Sequence, residues 1–488
     1  MKTKFSPPLF SAAMLLLAFL GHAEAADQVV TDPGDTGLAS QVRQKLDACQ
    51  SGTSPGGTVT FSVSGKITLD ANKGPLPTIT TNVTINGGAA IEISGNDATS
   101  ILNVATSATL TLENITLSHA SAASGDGGAV ASTGTVNAEN TKFLYNKTSP
   151  SWSGSAILCW GPLTITNCEF AFNTGGGGAV KPRSSGAVTT ITGSNFHDNS
   201  STESAGGGYG GAMQVFDGPA ITITNSTFTN NKAGANGGAI YVSTNSTLTV
   251  AGSVFSANTA PSGGAIDNAG TTTLTNTTLS TNGDNGVTFG GAINTESNST
   301  LTVESTTLNG NLGARGGGIL NFGGTATLTN ATLSGNSASE AGGGIYNYNA
   351  RLTLTNVTLS GNSAPNRGGI ENLTGVVTLT NTLIAKGTTG DNCTSGLGGT
   401  SSLSEHRAAS AQVASEWISC LARSRITAVQ QRRICRKRIV RRKIMVPPPA
   451  RRLAINAVTC AVVRRPTSAR WKSTAPFLIP WPIFPPVV

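Results

Sequence analysis

The chain has 488 residues, of which 60 are Gly and 21 Pro, with 11% charged and 5% aromatic. Collagen needs about one Gly in three and a disordered tail needs a high charge density, so both classes are excluded. The formal charge of +8 divides into net −8 over residues 1–406 and +16 over residues 407–488, so the body is acidic and gives no reason to expect a nucleic-acid partner.

Lys2 and Lys4 precede an apolar run from Leu9 to Leu20, and Ala23-Glu24-Ala25 supplies the small residues that a signal peptidase reads. The run is too short for a membrane span of about 20 residues, so residues 1–25 are expected to be an export signal. Residues 26–57 are expected to form an N-terminal cap. Within it, Leu38, Val42, Leu46 and Cys49 fall at helical spacing after Asp35, which predicts an amphipathic helix over 36–48 with Asp35 as N-cap. Such a cover would protect the bare strand edge of whatever follows.

Residues 58–400 are expected to form one repeat domain, in which roughly three less regular coils precede Val130 and two short words then alternate over residues 127–372. The first is Gly-Gly-Ala-Ile or a variant, whose apolar fourth residue falls at Val130, Ile157, Val180, Met213, Ile240, Ile266, Ile293, Ile319, Ile345 and Ile370. The second is Phe or Leu followed three places later by Asn, from Phe143/Asn146 to Leu359/Asn362. Between them runs a third element such as Leu352-Thr353-Leu354-Thr355, where apolar residues alternate with Thr as in a strand with one buried face. Each period of about 26 residues therefore holds three short strands separated by Gly, Asn and Ser, which accept turn conformations. Leucine-rich repeats need their own consensus and propeller blades are longer, about 40 residues or more. The fold class predicted is all-β, a right-handed parallel β-helix of about 13 coils, each stacked on the next at about 4.8 Å.

With the apolar residue of each Gly-Gly word inside, alternation places Asn268, Thr295, Asn321, Asn347 and Asn372 inside as well, where stacked amides serve structure. Outward rows then carry Lys181, Gln214, Tyr241, Asp267, Asn294, Leu320, Tyr346 and Glu371, and, two places on, Trp160, Arg183, Phe216, Glu296, Phe322 and Tyr348. Six scarce aromatics, Trp160, Phe216, Tyr241, Phe322, Tyr346 and Tyr348, form the candidate binding face, either for sugar rings or for one another. For catalysis, Asp267 and Glu296 are the best pair; one coil and two residues apart, they are expected about 8 Å apart, inside the inverting-glycosidase range. The chain lacks the acidic cluster of a calcium-assisted lyase, and no metal or cofactor is expected. Cys159 and Cys168 are the one close cysteine pair of the body, read either as a disulfide or as two small buried side chains.

The paired words Gly-Gly-Ala-Ile/Val and Phe-x-x-Asn, over residues 127–372, resemble the repeats of the polymorphic outer membrane proteins and other secreted bacterial β-helix proteins. The resemblance implies a bacterial surface or secreted protein, with adhesion as the usual role and a pectate-lyase-like scaffold. Members of that group end in an autotransporter barrel, whereas residues 401–488 are basic, lack Gly and Asp, and end in Pro485-Pro486-Val487-Val488. That tail reads either as a shifted reading frame without an evolved fold or as a basic arm for lipopolysaccharide, anionic lipid or nucleic acid. The expected function is non-enzymatic binding of a glycan or surface macromolecule outside the cytoplasm, with outer-membrane association; the alternative is a polysaccharide lyase or glycoside hydrolase using Asp267 and Glu296.

Overall fold

The computed structural model describes residues 27–51, 56–122, 125, 127–149, 151, 154–202, 208–284, 288–385 and 392–394. The export signal and the basic tail expected from the sequence lie outside the described residues. The described chain is an all-β parallel solenoid of about 12 turns.

Three long parallel ladders form most of it, and short strands such as Lys147–Thr148 and Thr174–Gly175 add a fourth along part of its length. One contains eleven strands, from Leu102–Val104 to Ile370–Leu373, and the apolar residue of each Gly-Gly word pairs with its counterpart one coil on, as Ile240 with Ile266 and Ile266 with Ile293. The second holds the Thr-rich strands, whose inward residues Ile191, Ile223, Val250, Leu274, Val303 and Leu328 fall in register. The third holds the Phe and Leu of the second word. There Phe143, Phe170, Phe196, Phe228 and Phe255 are fully buried and stack face to face, with centroids 4.6–4.8 Å apart and planes within 6°. The coil spacing imposes that distance, because parallel strands repeat at about 4.8 Å. Leu279, Leu308, Leu333 and Leu359 continue the column once the aromatics stop.

The helix expected near the N-terminus is present, with altered bounds. Helix α1 spans Val42–Gln50, buries Val42, Leu46 and Cys49, and packs beside the paired strands Gln28–Val30 and Gly57–Phe61. Leu38 precedes the helix and is 57% exposed. Gln41 occupies the N-cap place, and its Oε1 accepts from the N–H groups of Gly37 and Leu38 at 2.8 and 3.0 Å, which fixes a turn where the sequence suggested a first helical turn. Asp35, expected at that cap, instead pairs with Arg43 at 2.8 Å and accepts from the Asp70 N–H at 3.0 Å. Burial alone would raise its carboxyl, but the Arg43 guanidinium and the Asp70 N–H hold it below the usual carboxylate range.

Cys159 and Cys168 are free and buried, so of the two readings the one with small buried side chains holds. Their thiols donate to the carbonyls of Gly161 at 3.2 Å and Ala138 at 3.3 Å. Burial pushes both thiols up to about 11. With almost no thiolate at pH 8, both are expected to stay unmodified by a maleimide on the native protein and to react fully in denaturant. Mass spectrometry of peptides from both states checks this, and native-state labelling of either would show that the coils open locally.

Candidate functional site

The Gly-Gly ladder positions the residues that the sequence singled out. Each word begins with a sharp turn: Gly237, for example, has φ 66, a conformation that a side chain disfavours. The turn brings the residue before it back over the ladder. Tyr209, Asn236, Ser262, Phe289 and Arg315 form a column of single parallel bridges, continued by Ala341 and Asn366. That column covers the row immediately after each inner apolar residue.

The consequence is a correction. The row of Tyr241, Asp267, Asn294, Leu320, Tyr346 and Glu371 is in the expected register, but all of these except the half-buried Tyr241 are shut off from solvent. Asp267 is 0% and Tyr346 7% exposed. Tyr346 packs with Leu320 and Ala341 in a small second core, and the Arg315 guanidinium lies 5.9 Å from its ring. Strand alternation assigned a side correctly, yet the covering column decides depth.

Asp267 and Glu296 are brought together, closer than the expected 8 Å. The two carboxyl groups are within hydrogen-bonding reach. Asp267 Oδ2 accepts from Asn294 Nδ2 at 3.2 Å, and Glu296 Oε1 accepts from Asn236 Nδ2 at 3.4 Å. Complete burial raises the Asp267 carboxyl well above its ordinary range, and the adjacent Glu296 raises it further; donors on Ser262 and Asn294 oppose the shift. Tyr241 lies beside Asp267 in the ladder, and Tyr209 covers it with ring centroids 4.8 Å apart. Burial, then Glu296 and Asp267, push the Tyr241 phenol up. Retaining glycosidases need about 5–5.5 Å between carboxyls and inverting ones about 6.5–9.5 Å, with room for water between them. A carboxyl pair in direct contact fits neither geometry.

The row two places further on does reach the surface. Trp160, Phe322 and Tyr348 are 39%, 42% and 38% exposed, and Phe216 is half-buried. These rings also hold one another. Phe322 and Tyr348 stack with centroids 5.1 Å apart, and the Arg183 guanidinium sits 4.1 Å over Trp160 and 5.6 Å from Phe216 while pairing with Asp217. Ser243 and Ala269 occupy the two places between Phe216 and Glu296, so the strip has two aromatic ends and a low centre. From the coil of Trp160 to that of Tyr348 it crosses seven coil steps, about 34 Å.

Two features escaped the sequence reading. The Asn of the second word forms a continuous buried ladder, described below, although its regularity was the signal that could have announced it. On the opposite corner His119, Tyr145, Phe172 and His197 contact one another in succession. The first three hold positive φ, at a turn where later coils place Gly310, Gly335 and Gly361. Of the inner amides expected to stack, Asn321, Asn347 and Asn372 do so at 2.8 Å, whereas Asn268 instead bonds Thr272 and the Thr300 carbonyl because Thr295 interrupts the row.

Among known proteins, no curated relative matches the chain. The family model of the right-handed β-helix region matches residues 100–260 and again 182–364, offset repeats of the same coil pattern that together take in more than half of the sequence. With the parallel register of all three ladders, that match makes the chain a member of the right-handed β-helix family.

Proposed function

We propose that this protein is an exported β-helix that binds an extended glycan along the outer aromatic strip and does not cleave it. One observation carries the reading: Trp160, Phe322 and Tyr348 keep about two fifths of their surface in solvent along one edge of the Gly-Gly ladder. Exposed apolar area of this kind on a scarce-aromatic chain serves a partner, and flat sugar rings are suited to such edges. The repeat's likeness to polymorphic outer membrane proteins and the Lys2–Ala25 export signal support display outside the cytoplasm, at the outer membrane or beyond. The hydrolase reading has the carboxyl pair in its favour, but its contact geometry leaves no place for the water or sugar that must stand between the two acids.

A glycan array with the full chain, followed by reducing-sugar assays on each positive glycan, tests the proposal. Binding without turnover is expected. Phe322→Ala combined with Tyr348→Ala should weaken it at least tenfold, because two stacked rings leave together. Turnover abolished by Glu296→Gln would establish the enzyme instead.

A further inference from the structure

We propose that Asp267, Glu296 and Asn294 bind a hard divalent cation, Ca²⁺ by preference, beneath the covering column of the Gly-Gly face. Two carboxyl groups meet there, one of them wholly buried. Such a pair is stable only if it shares a proton or a cation. The amide beside it discriminates. Asn294, 6% exposed, donates its Nδ2 to Asp267 Oδ2, and its Oδ1 has no partner; Asp267 Oδ1 is likewise buried and makes no hydrogen bond, although the Ser262 hydroxyl stands near enough to act on the carboxyl.

Both unpartnered atoms are thus acceptor oxygens, and they sit on neighbouring strands joined by the Asp267–Asn294 hydrogen bond. A single proton between Asp267 and Glu296 satisfies the carboxyls but leaves the amide oxygen bare, at a cost of about 1–3 kcal/mol. A cation takes several oxygens at once. A sugar hydroxyl would also donate, yet a pyranose cannot reach a carboxyl at 0% exposure. A small ion can reach the pair from the side of Glu296, which is only partly buried. The donors are all oxygen, with neither His nor Cys among them, which suits Ca²⁺ or Mg²⁺ rather than a transition metal. Ca²⁺ tolerates irregular sets of carboxylate and amide oxygens, whereas Mg²⁺ demands near-ideal octahedra.

This inference stands apart from the glycan proposal and survives its failure. The probe is Tb³⁺, a hard ion of similar size, on the full chain after chelator treatment. Tyr241 adjoins Asp267 in the ladder and Tyr209 stacks on it, so tyrosine excitation should sensitise Tb³⁺ emission. The expected result is saturable emission, displaced by Ca²⁺, with affinity at least tenfold lower in Asp267→Asn and in Glu296→Gln. It should be retained in Glu304→Gln, an exposed carboxylate on the Thr-rich ladder. Ca²⁺ should also raise the Tm of the parent and not that of Asp267→Asn. The titratable groups around Asp267 are Glu296, Tyr241 and Tyr209; protons compete for the two carboxylates, so affinity should fall as pH is lowered. Asp267→Asn removes a buried charge without changing shape, and Glu296→Gln alters a partly exposed side chain, so folding is not at stake in both. Emission equal in the parent and both variants, or emission that never saturates, would mean adsorption at surface carboxylates and would overturn the proposal.

Discussion

Replacing Asn258 with leucine is expected to lower the stability of the solenoid by about 3–6 kcal/mol, with three buried polar groups each losing a hydrogen-bond partner at about 1–3 kcal/mol, partly relaxed. Asn258 stands in the middle of nine buried asparagines, from Asn146 to Asn362. Its Oδ1 accepts from both the backbone N–H and the Nδ2 of Asn231, at 3.0 and 2.9 Å. Its own Nδ2 donates to the Phe228 carbonyl and to Asn282 Oδ1, each at 2.9 Å. Leucine fills the same space but leaves the Asn231 backbone N–H without its acceptor, takes one of two acceptors from Asn231 Nδ2, which keeps the Phe196 carbonyl, and removes the amide donor from the Phe228 carbonyl. Because each coil touches only its neighbours, the damage falls on the junctions around one coil. Hydrogen exchange should therefore show the loss concentrated near Asn231 and Asn282, and urea unfolding should divide into two transitions. Asn330→Gly is the control: it belongs to an exposed amide row that includes the Asn356 to Asn330 bond at 3.0 Å, it keeps a residue able to hold φ 53, and it should cost less than about 1 kcal/mol. Equal losses in the two variants would show that burial does not make the inner ladder special.

That contrast marks how far the sequence can be read. Registers were legible, since residues that recur at a fixed place in a word must pair when coils stack, and Ile240, Ile266 and Ile293 do so. Sidedness was legible for the same reason. Depth was not. Tyr346 and Tyr348 are two places apart and point to the same face, but the first lies under Arg315 and Ala341 and the second stacks in the open on Phe322. The loops leading into each Gly-Gly word vary in length, with periods from 23 to 33 residues, and only their return path in space shows which side chains they cover. The Asp267–Glu296 contact was misjudged for a related reason: a strand lattice fixes Cα positions, while the long Glu side chain and the Asn236 amide that receives it determine where the carboxyl comes to rest.

Gly264→Ala should be among the most damaging one-carbon changes in the described residues, costing about 3–5 kcal/mol where an added methylene in a packed core typically costs about 1–3. A Cβ built there collides with the Gly291 carbonyl oxygen and with the backbone of Gly283. All of those atoms are main chain, so no rotamer can yield and the coils themselves must part. Gly238 meets the Gly264 carbonyl and Gly291 the Gly317 carbonyl in the same way, which explains why the second glycine recurs in nearly every word. Ser155 takes the equivalent place only where the next coil turns differently, with its positive φ at Gly178, one residue later in the word than elsewhere. The comparison to make is Gly335→Ala. Gly335 has φ 62, yet its added carbon would find its nearest atom at 3.5 Å, and native Ala257 and Thr281 hold the same turn in earlier coils. Its cost is then the left-handed backbone alone, about 1 kcal/mol. Differential scanning calorimetry of the two variants separates crowding from conformational strain: a Tm loss for Gly264→Ala several times that for Gly335→Ala is expected. If the order were reversed, the close approach of successive coils at the Gly-Gly words would not be what holds their spacing.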